Sequence, residues 1–273
     1  MKAAVTVLKE QIKYFYLVKR LSFYELKSTN SNNYLGMFWE LLNPAIQIAI
    51  YWFVFGFGIL RDKRGQIGDI DYFPWLLGGI VVWFFINQGL LKSSKSIYTK
   101  IKMLSKMNFP MSVIPNYVIF ANFYSHLMLL GFIILILQFL GFSIFSMGIY
   151  YLQLPIYMFG VVALIFAISL ITSTLATIIR DVQMLLQSVL RMLLYLSPIL
   201  WDVSGLPHWV QTVMKINPFY YIVEGYRHSL VTGGWYFIEE WQYTLYFFGL
   251  LLLLFVIGGA LHVKFRRHFV DFL

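Results

Sequence analysis

The stretch that decides the fold is 177–227, where TIIRDVQMLLQSVLRMLLYLSPILW fills 177–201 and INPFYYIVEGYR fills 216–227. Arg180 and Asp181 open a long apolar run, Ser197-Pro198 closes it, and Asn217-Pro218 lies in a segment too short to cross a bilayer. Backbone groups freed by such breaks find no water in lipid, so a broken element there must be sheltered by protein or line a water-filled cavity. The stretch therefore predicts a membrane protein that builds a pathway.

The rest of the chain agrees. Of 273 residues 60% are hydrophobic and 12% charged, against about 25% charged in soluble domains. From Met107 to Ile179 there is no Asp, Glu, Lys or Arg, room for two crossings of about 20 residues each. The expected fold is an all-α polytopic membrane protein, one transmembrane domain over 1–273, with spans at 34–60, 72–91, 114–140, 150–178, 182–201 and 241–263. Residues 1–33 form an N-terminal interfacial element, 92–110 a loop, and 204–232 an outer re-entrant helical hairpin. Six spans put both termini on one side. That side carries fifteen basic residues, in the N-terminal segment, the loop 92–106, Arg180 and the tail, against five on the other, so the positive-inside bias makes both termini cytoplasmic. The net charge of +9 follows from this bias and gives no reason to invoke nucleic acid. Without cysteine there is no disulfide or thiolate metal site, and the five histidines have no metal-ligand spacing. The N-terminus does not read as a signal peptide.

Val5, Leu8, Ile12, Phe15 and Tyr16 recur at helical spacing, with Lys9, Lys13, Arg20 and Lys27 on another face. This fits an amphipathic helix in the headgroup plane, the alternative being a solvated helix of a small cytosolic lobe. In the loop, SIYTKIKMLSK at 96–106 is helix-compatible; its basic residues suit either the charge bias or a docking element. Pro207 is placed to begin a helix of about ten residues, and Pro218 opens a second piece ending near Gly233-Gly234.

Two polar stripes carry the functional reading. Glu40, Asn43, Gln47 and Tyr51 share a face of the first span, and Gln183, Gln187, Arg191 and Tyr195 share a face of the fifth. Arg191 lies ten residues past Asp181, about 15 Å and near the bilayer midplane. An arginine there costs about 2.5 kcal/mol or more unless it meets an anion, an acid or water. It either pairs internally, with Glu40 or helix carbonyls, or faces a pathway for phosphates. Asn43 and Gln47 suit a pathway or interhelical hydrogen bonds. Aromatic residues, 19% of the chain, crowd the span ends as interfacial belts, and a subset including Trp39 and Trp83 could stack on sugar rings. No nucleotide-binding loop, hydrolase elbow or metal cluster is present in the sequence, so the chain reads as no enzyme by itself.

ELKSTNSNNYLGMFWELLNP at 25–44, MLSKMNFPMSVIP at 103–115 and the 177–227 stretch together resemble the permease subunit of polysaccharide-exporting ABC transporters, most closely the wall teichoic acid permeases of Gram-positive bacteria. The resemblance implies a homodimer in the plasma membrane with two ATP-binding cassette subunits that bind ATP and Mg. The cargo would be an undecaprenyl-pyrophosphate-linked anionic polymer, the alternative cargo being an O-antigen or capsular glycan. It implies a channel lined by Trp39, Glu40, Asn43, Gln47, Tyr51, Trp83, Gln187, Arg191 and Tyr195. Coupling to the ATPase would involve Lys100, Lys102, Ser105, Lys106, Met107, Phe109, Arg180 and Asp181, and the outer gate Pro207, Trp209, Asn217, Pro218 and Arg227. Asn32 and Asn33 stand where the family usually has a basic pair. A proton-coupled secondary transporter is the rival from another class, weakened by the lack of an internal repeat.

Overall fold

The computed structural model describes residues 2–31, 33–59, 66–104, 109–142 and 148–272. They form helices α1 (Lys2–Lys13), α2 (Phe15–Asn30), α3 (Trp39–Tyr51), α4 (Tyr72–Ser94), α5 (Ser96–Leu104), α6 (Val113–Phe139), α7 (Leu154–Ile178), α8 (Asp181–Leu196), α9 (His208–Met214), α10 (Pro218–Arg227), α11 (Tyr236–Glu239) and α12 (Trp241–Phe265). The expectation of an all-helical chain needs one small correction: Gln66–Ile67 (β1) and Ile70–Asp71 (β2) pair antiparallel in a hairpin before α4.

Helix α4 is the axis of the bundle. Its sequence is apolar on every side, and a helix without a polar face belongs in a core; Leu76, Ile80, Val81, Val82 and Ile86 are fully buried. Helices α6, α7 and α10 pack around it, and α12 lies along α7. A second, smaller cluster joins α2, α5, α6 and the C-terminal turn through Val18, Ile97, Ile101, Tyr117 and Phe269. Glu10 binds Arg266 at 2.7 Å, which places both termini at one end of the bundle, here the terminal end.

Five helical segments among the described residues are long and apolar enough to cross a membrane, where the sequence predicts six. The exception is the segment expected at 182–201. Helix α8 has 16 residues and stops at Ser197, which is extended at φ −101°, ψ 157°, because a residue before proline avoids the α region.

The N-terminal element bends at Tyr14 and uses two faces. Ala4, Val7 and Gln11 pack on the bundle, and Gln11 bonds Ser112 and Asn116 on α6 at 3.1 and 2.7 Å. The apolar face read from the sequence points away from the bundle: Val5, Leu8, Ile12, Phe15 and Tyr16 are all exposed.

Candidate functional site

The decisive stretch builds its site from two proline breaks. Helix α8 starts at exposed Arg180 and Asp181, with the carboxylate favourably placed at the positive end of the helix dipole. Near that start Gln183 donates to the Leu91 carbonyl at 3.1 Å and accepts from Ser94, at the far end of α4. After the break, the Leu200 carbonyl accepts from the Tyr72 hydroxyl at 2.7 Å, at the beginning of α4. Residues 183–200 thus run antiparallel to α4 over its whole length of about 34 Å, although the helix itself is short.

Each break has its backbone groups recovered by side chains. The Pro198 carbonyl accepts from Arg227 Nη2 at 2.7 Å, and the Tyr195 carbonyl from Trp201 Nε1 at 2.8 Å. Asn217 serves both breaks: its Oδ1 accepts from the Phe219 amide at 3.0 Å, capping α10, and its Nδ2 donates to Ser197 Oγ at 2.8 Å. Arg227 is 1% exposed. It pairs with Glu224, donates from Nε to the Trp75 carbonyl at 3.3 Å, and lies 3.6 Å from the Trp75 ring centroid. A Cβ on Gly79 would come within 2.5 Å of Nη2, so only glycine admits the guanidinium against α4. Helix α10 is therefore fastened to α4 and to the end of α8.

The two stripes fare differently. On α8, Leu190 is buried while Gln187, Arg191 and Tyr195 are exposed. Among the described residues Arg191 makes none of the ion pairs, so the expected internal partner Glu40 does not hold it. On α3 the stripe splits. Asn43 and Gln47 are exposed, and Trp39 and Tyr51 half-buried, with Tyr51 in electrostatic range of Tyr195. Glu40 turns away, lining two cavities between α3, α4 and α6. Trp83 corrects the sequence reading: it is 2% exposed and meets Phe219 edge-on at 6.2 Å, so it supports the hairpin from inside the core and lines no outward face.

At the terminal end Lys100 binds Glu25 at 2.6 Å and lies over the Tyr117 ring at 4.7 Å, holding α5 to α2 and α6. Phe109 packs against the small core cluster. Ser105, Lys106 and Met107, and the side chain of Lys102, lie outside the described residues. At the opposite end Pro207 is the residue before α9 rather than its first, Trp209 is 68% exposed, and half-buried Pro218 opens α10. The Glu224–Arg227 pair was readable as a two-charge spacing of three in an otherwise apolar helix. The basic-residue count placed Arg227 in an outer loop instead.

Comparison with known proteins agrees with this architecture. Residues 16–231 match the family model described as ABC-2 type transporter. The O-antigen export system permease protein RfbA of Klebsiella pneumoniae is 25% identical over 249 residues, 91% of this chain and 92% of that protein. The RfbA of Myxococcus xanthus is 22% identical over 233 residues, 82% and 83% of the two chains. The inner membrane transport permease YadH of Escherichia coli (strain K12) is 19% identical over 199 residues, 70% and 75% of the two. With its match covering most of the chain, from the second half of the N-terminal element to the end of the hairpin, the protein belongs to the ABC-2 type transporter family.

Proposed function

We propose that this chain is the membrane subunit of an ATP-driven exporter that moves a lipid-linked polysaccharide of the O-antigen kind, as a homodimer with two ATP-binding subunits. The observation that carries the reading is the exposure of Asn43, Gln47, Gln187 and Arg191 on two membrane helices of one protomer. Facing lipid, Arg191 alone would cost about 2.5–3.5 kcal/mol near the midplane. Set against the same faces of a second copy, these groups line a hydrated path for a polar chain. Residues 183–200 serve as the sixth crossing, the terminal end lies in the cytoplasm as the basic residues favour, and the hairpin caps the outer mouth. The names of the RfbA relatives support an O-antigen-like cargo. An anionic teichoic-acid polymer remains the second reading, favoured by the likeness of STNSNNYLG and RDVQMLLQS to those permeases.

The test is co-purification with an ATP-binding subunit, followed by ATPase and transport assays with defined lipid-linked polymers. A neutral glycan that stimulates where a phosphate-rich polymer does not supports the first reading, and the converse the second. Arg191→Ala should abolish transport at normal expression. Transport driven by a pH gradient with no ATPase present would overturn the proposal.

A further inference from the structure

His126 lies 13 residues past the start of α6, about 20 Å along that membrane helix, and is 3% exposed. Its ring stacks on Phe85 at 4.9 Å and meets Phe123 at 6.1 Å, so the orientation is fixed by packing. Nε2 lies 3.0 Å from the Tyr226 hydroxyl of α10. Tyr226 is fully buried and its hydroxyl has no other hydrogen-bond partner among the described residues, so the O–H is satisfied only by donating to Nε2. A neutral imidazole that accepts at Nε2 carries its proton on Nδ1. Nδ1 is buried without a hydrogen-bond partner among the described residues. The Val81 carbonyl of α4 is in range of the ring but does not bond that nitrogen. A donor stranded in this way inside a membrane helix calls for an acceptor.

A cavity of about 20 Å³ opens beside the ring, walled also by Glu40, Gln88, Asn122 and Ser125. Glu40, Asn122 and Ser125 line a larger cavity of about 250 Å³ as well, which continues to Lys92 and Lys95 at the terminal end.

We propose that the smaller cavity is a binding site for one water molecule, which accepts from His126 Nδ1–H and enters from the terminal end through the larger cavity. A buried water needs about 10–15 Å³ and two to four polar partners, and both conditions are met. Asn122 spends its amide group on the Val118 carbonyl at 2.7 Å and so offers its oxygen. The Gln88 amide oxygen, the Ser125 hydroxyl and the Glu40 carboxylate are the other acceptors for the two water hydrogens. The passage is blind, because the hydrogen-bonded chain ends at Tyr226. Asn43 and Gln47 are exposed while Glu40 faces these cavities. The chain thus has an aqueous space behind α3, reaching the middle of α6 without crossing the membrane, and this holds whether or not the exporter reading above does.

Two measurements on the full chain in lipid vesicles test the site. With isotope-labelled histidine in the otherwise unchanged protein, the ring in contact with Phe85 and Tyr226 is expected to be protonated on Nδ1 and to pass magnetisation between that proton and water. Protonation on Nε2 instead, or an Nδ1 proton without transfer to water, as a bond to the Val81 carbonyl would give, overturns the water site. Since the chain has no cysteine, Ser125→Cys reports on the passage. A charged, membrane-impermeant methanethiosulfonate added on the side of the termini should modify it about tenfold or more faster than Ile133→Cys in the dry core or outward-facing Leu127→Cys, because a thiol in apolar surroundings ionises poorly. Modification no faster than at Ile133→Cys, or only from the opposite side, overturns the passage. If Ser125→Cys fails to fold, Gln88→Cys, on the wall of the smaller cavity, is read in the same way.

Discussion

Replacing Arg227 by alanine should unfasten α10 from α4 and from the end of α8. The guanidinium is buried and serves four partners at once: the Glu224 carboxylate, the carbonyls of Pro198 and Trp75 at 2.7 and 3.3 Å, and the Trp75 ring. Truncation leaves Glu224, whose side chain is 16% exposed, without its cation; breaking a buried pair in this way costs about 3–5 kcal/mol. The two carbonyls lose their donors at about 1–3 kcal/mol each where water cannot follow. These contributions share one side chain and do not add in full, so the expected loss is about 4 kcal/mol or more. Arg227→Lys keeps the charge but not the fork and should recover only part of the loss. Because the chain has no cysteine, a single Trp209→Cys probe reports on the hairpin through its thiol-labelling rate, while denaturant unfolding in micelles reads stability. Glu224→Gln added to Arg227→Ala should cost less than the sum of the single changes. An Arg227→Ala protein within about 1 kcal/mol of the parent, with unchanged labelling, would refute the assignment of the arginine as the fastener.

Asn217→Ala should lower the unfolding midpoint by the equivalent of about 1–2 kcal/mol, the usual worth of a helix cap, and Ser197→Ala should add little to it because both act through one hydrogen bond. Gln11→Ala strands the buried amide of Asn116 and should cost about 1–3 kcal/mol, with faster proteolysis near Tyr14; Glu10→Gln, which loses a partly buried charge pair with Arg266, should cost about 1.5–3 kcal/mol, the worth of a hydrogen bond to a charged group. Gln47→Cys should crosslink two copies of the chain under mild oxidation, and Leu245→Cys, equally outward on α12, should not; the reverse pattern would exclude α3 from the dimer contact.

Much of the fold was legible because the signals were local. Long uncharged runs mark the membrane helices, prolines mark where α8 ends and α10 begins, and Gly233-Gly234, at φ 76° and 89°, follows the helical stretch that Pro218 opens. What local pattern cannot give is which side of an apolar helix meets protein. Trp83 and Trp209 are alike in composition, yet one lies in the core and the other is exposed. In the N-terminal helix the face that packs on the bundle is the small and polar one, Ala4, Val7 and Gln11. In a membrane protein the larger apolar face is free to stay outward, since lipid tails are as apolar as a core.

The same reasoning is why the proposed function rests on α3 and α8 rather than on the better-packed helices. Of the most apolar window of α4, 83% is buried, and of the first span only 11%. For leucine or isoleucine that difference carries no message in lipid, because either surround is acceptable. For an amide or a guanidinium it does, because hydrocarbon offers neither a hydrogen bond nor a counter-charge. Asn43, Gln47, Gln187 and Arg191 are therefore the exposed polar groups that the proposed homodimer would cover. In that proposed dimer a second copy related by a two-fold axis would present the same groups in return, the self-complementary contact of a symmetric pair. Since the opposing stripes would then be polar on both sides, the space between them would be better suited to water and a hydroxyl-rich chain than to close packing.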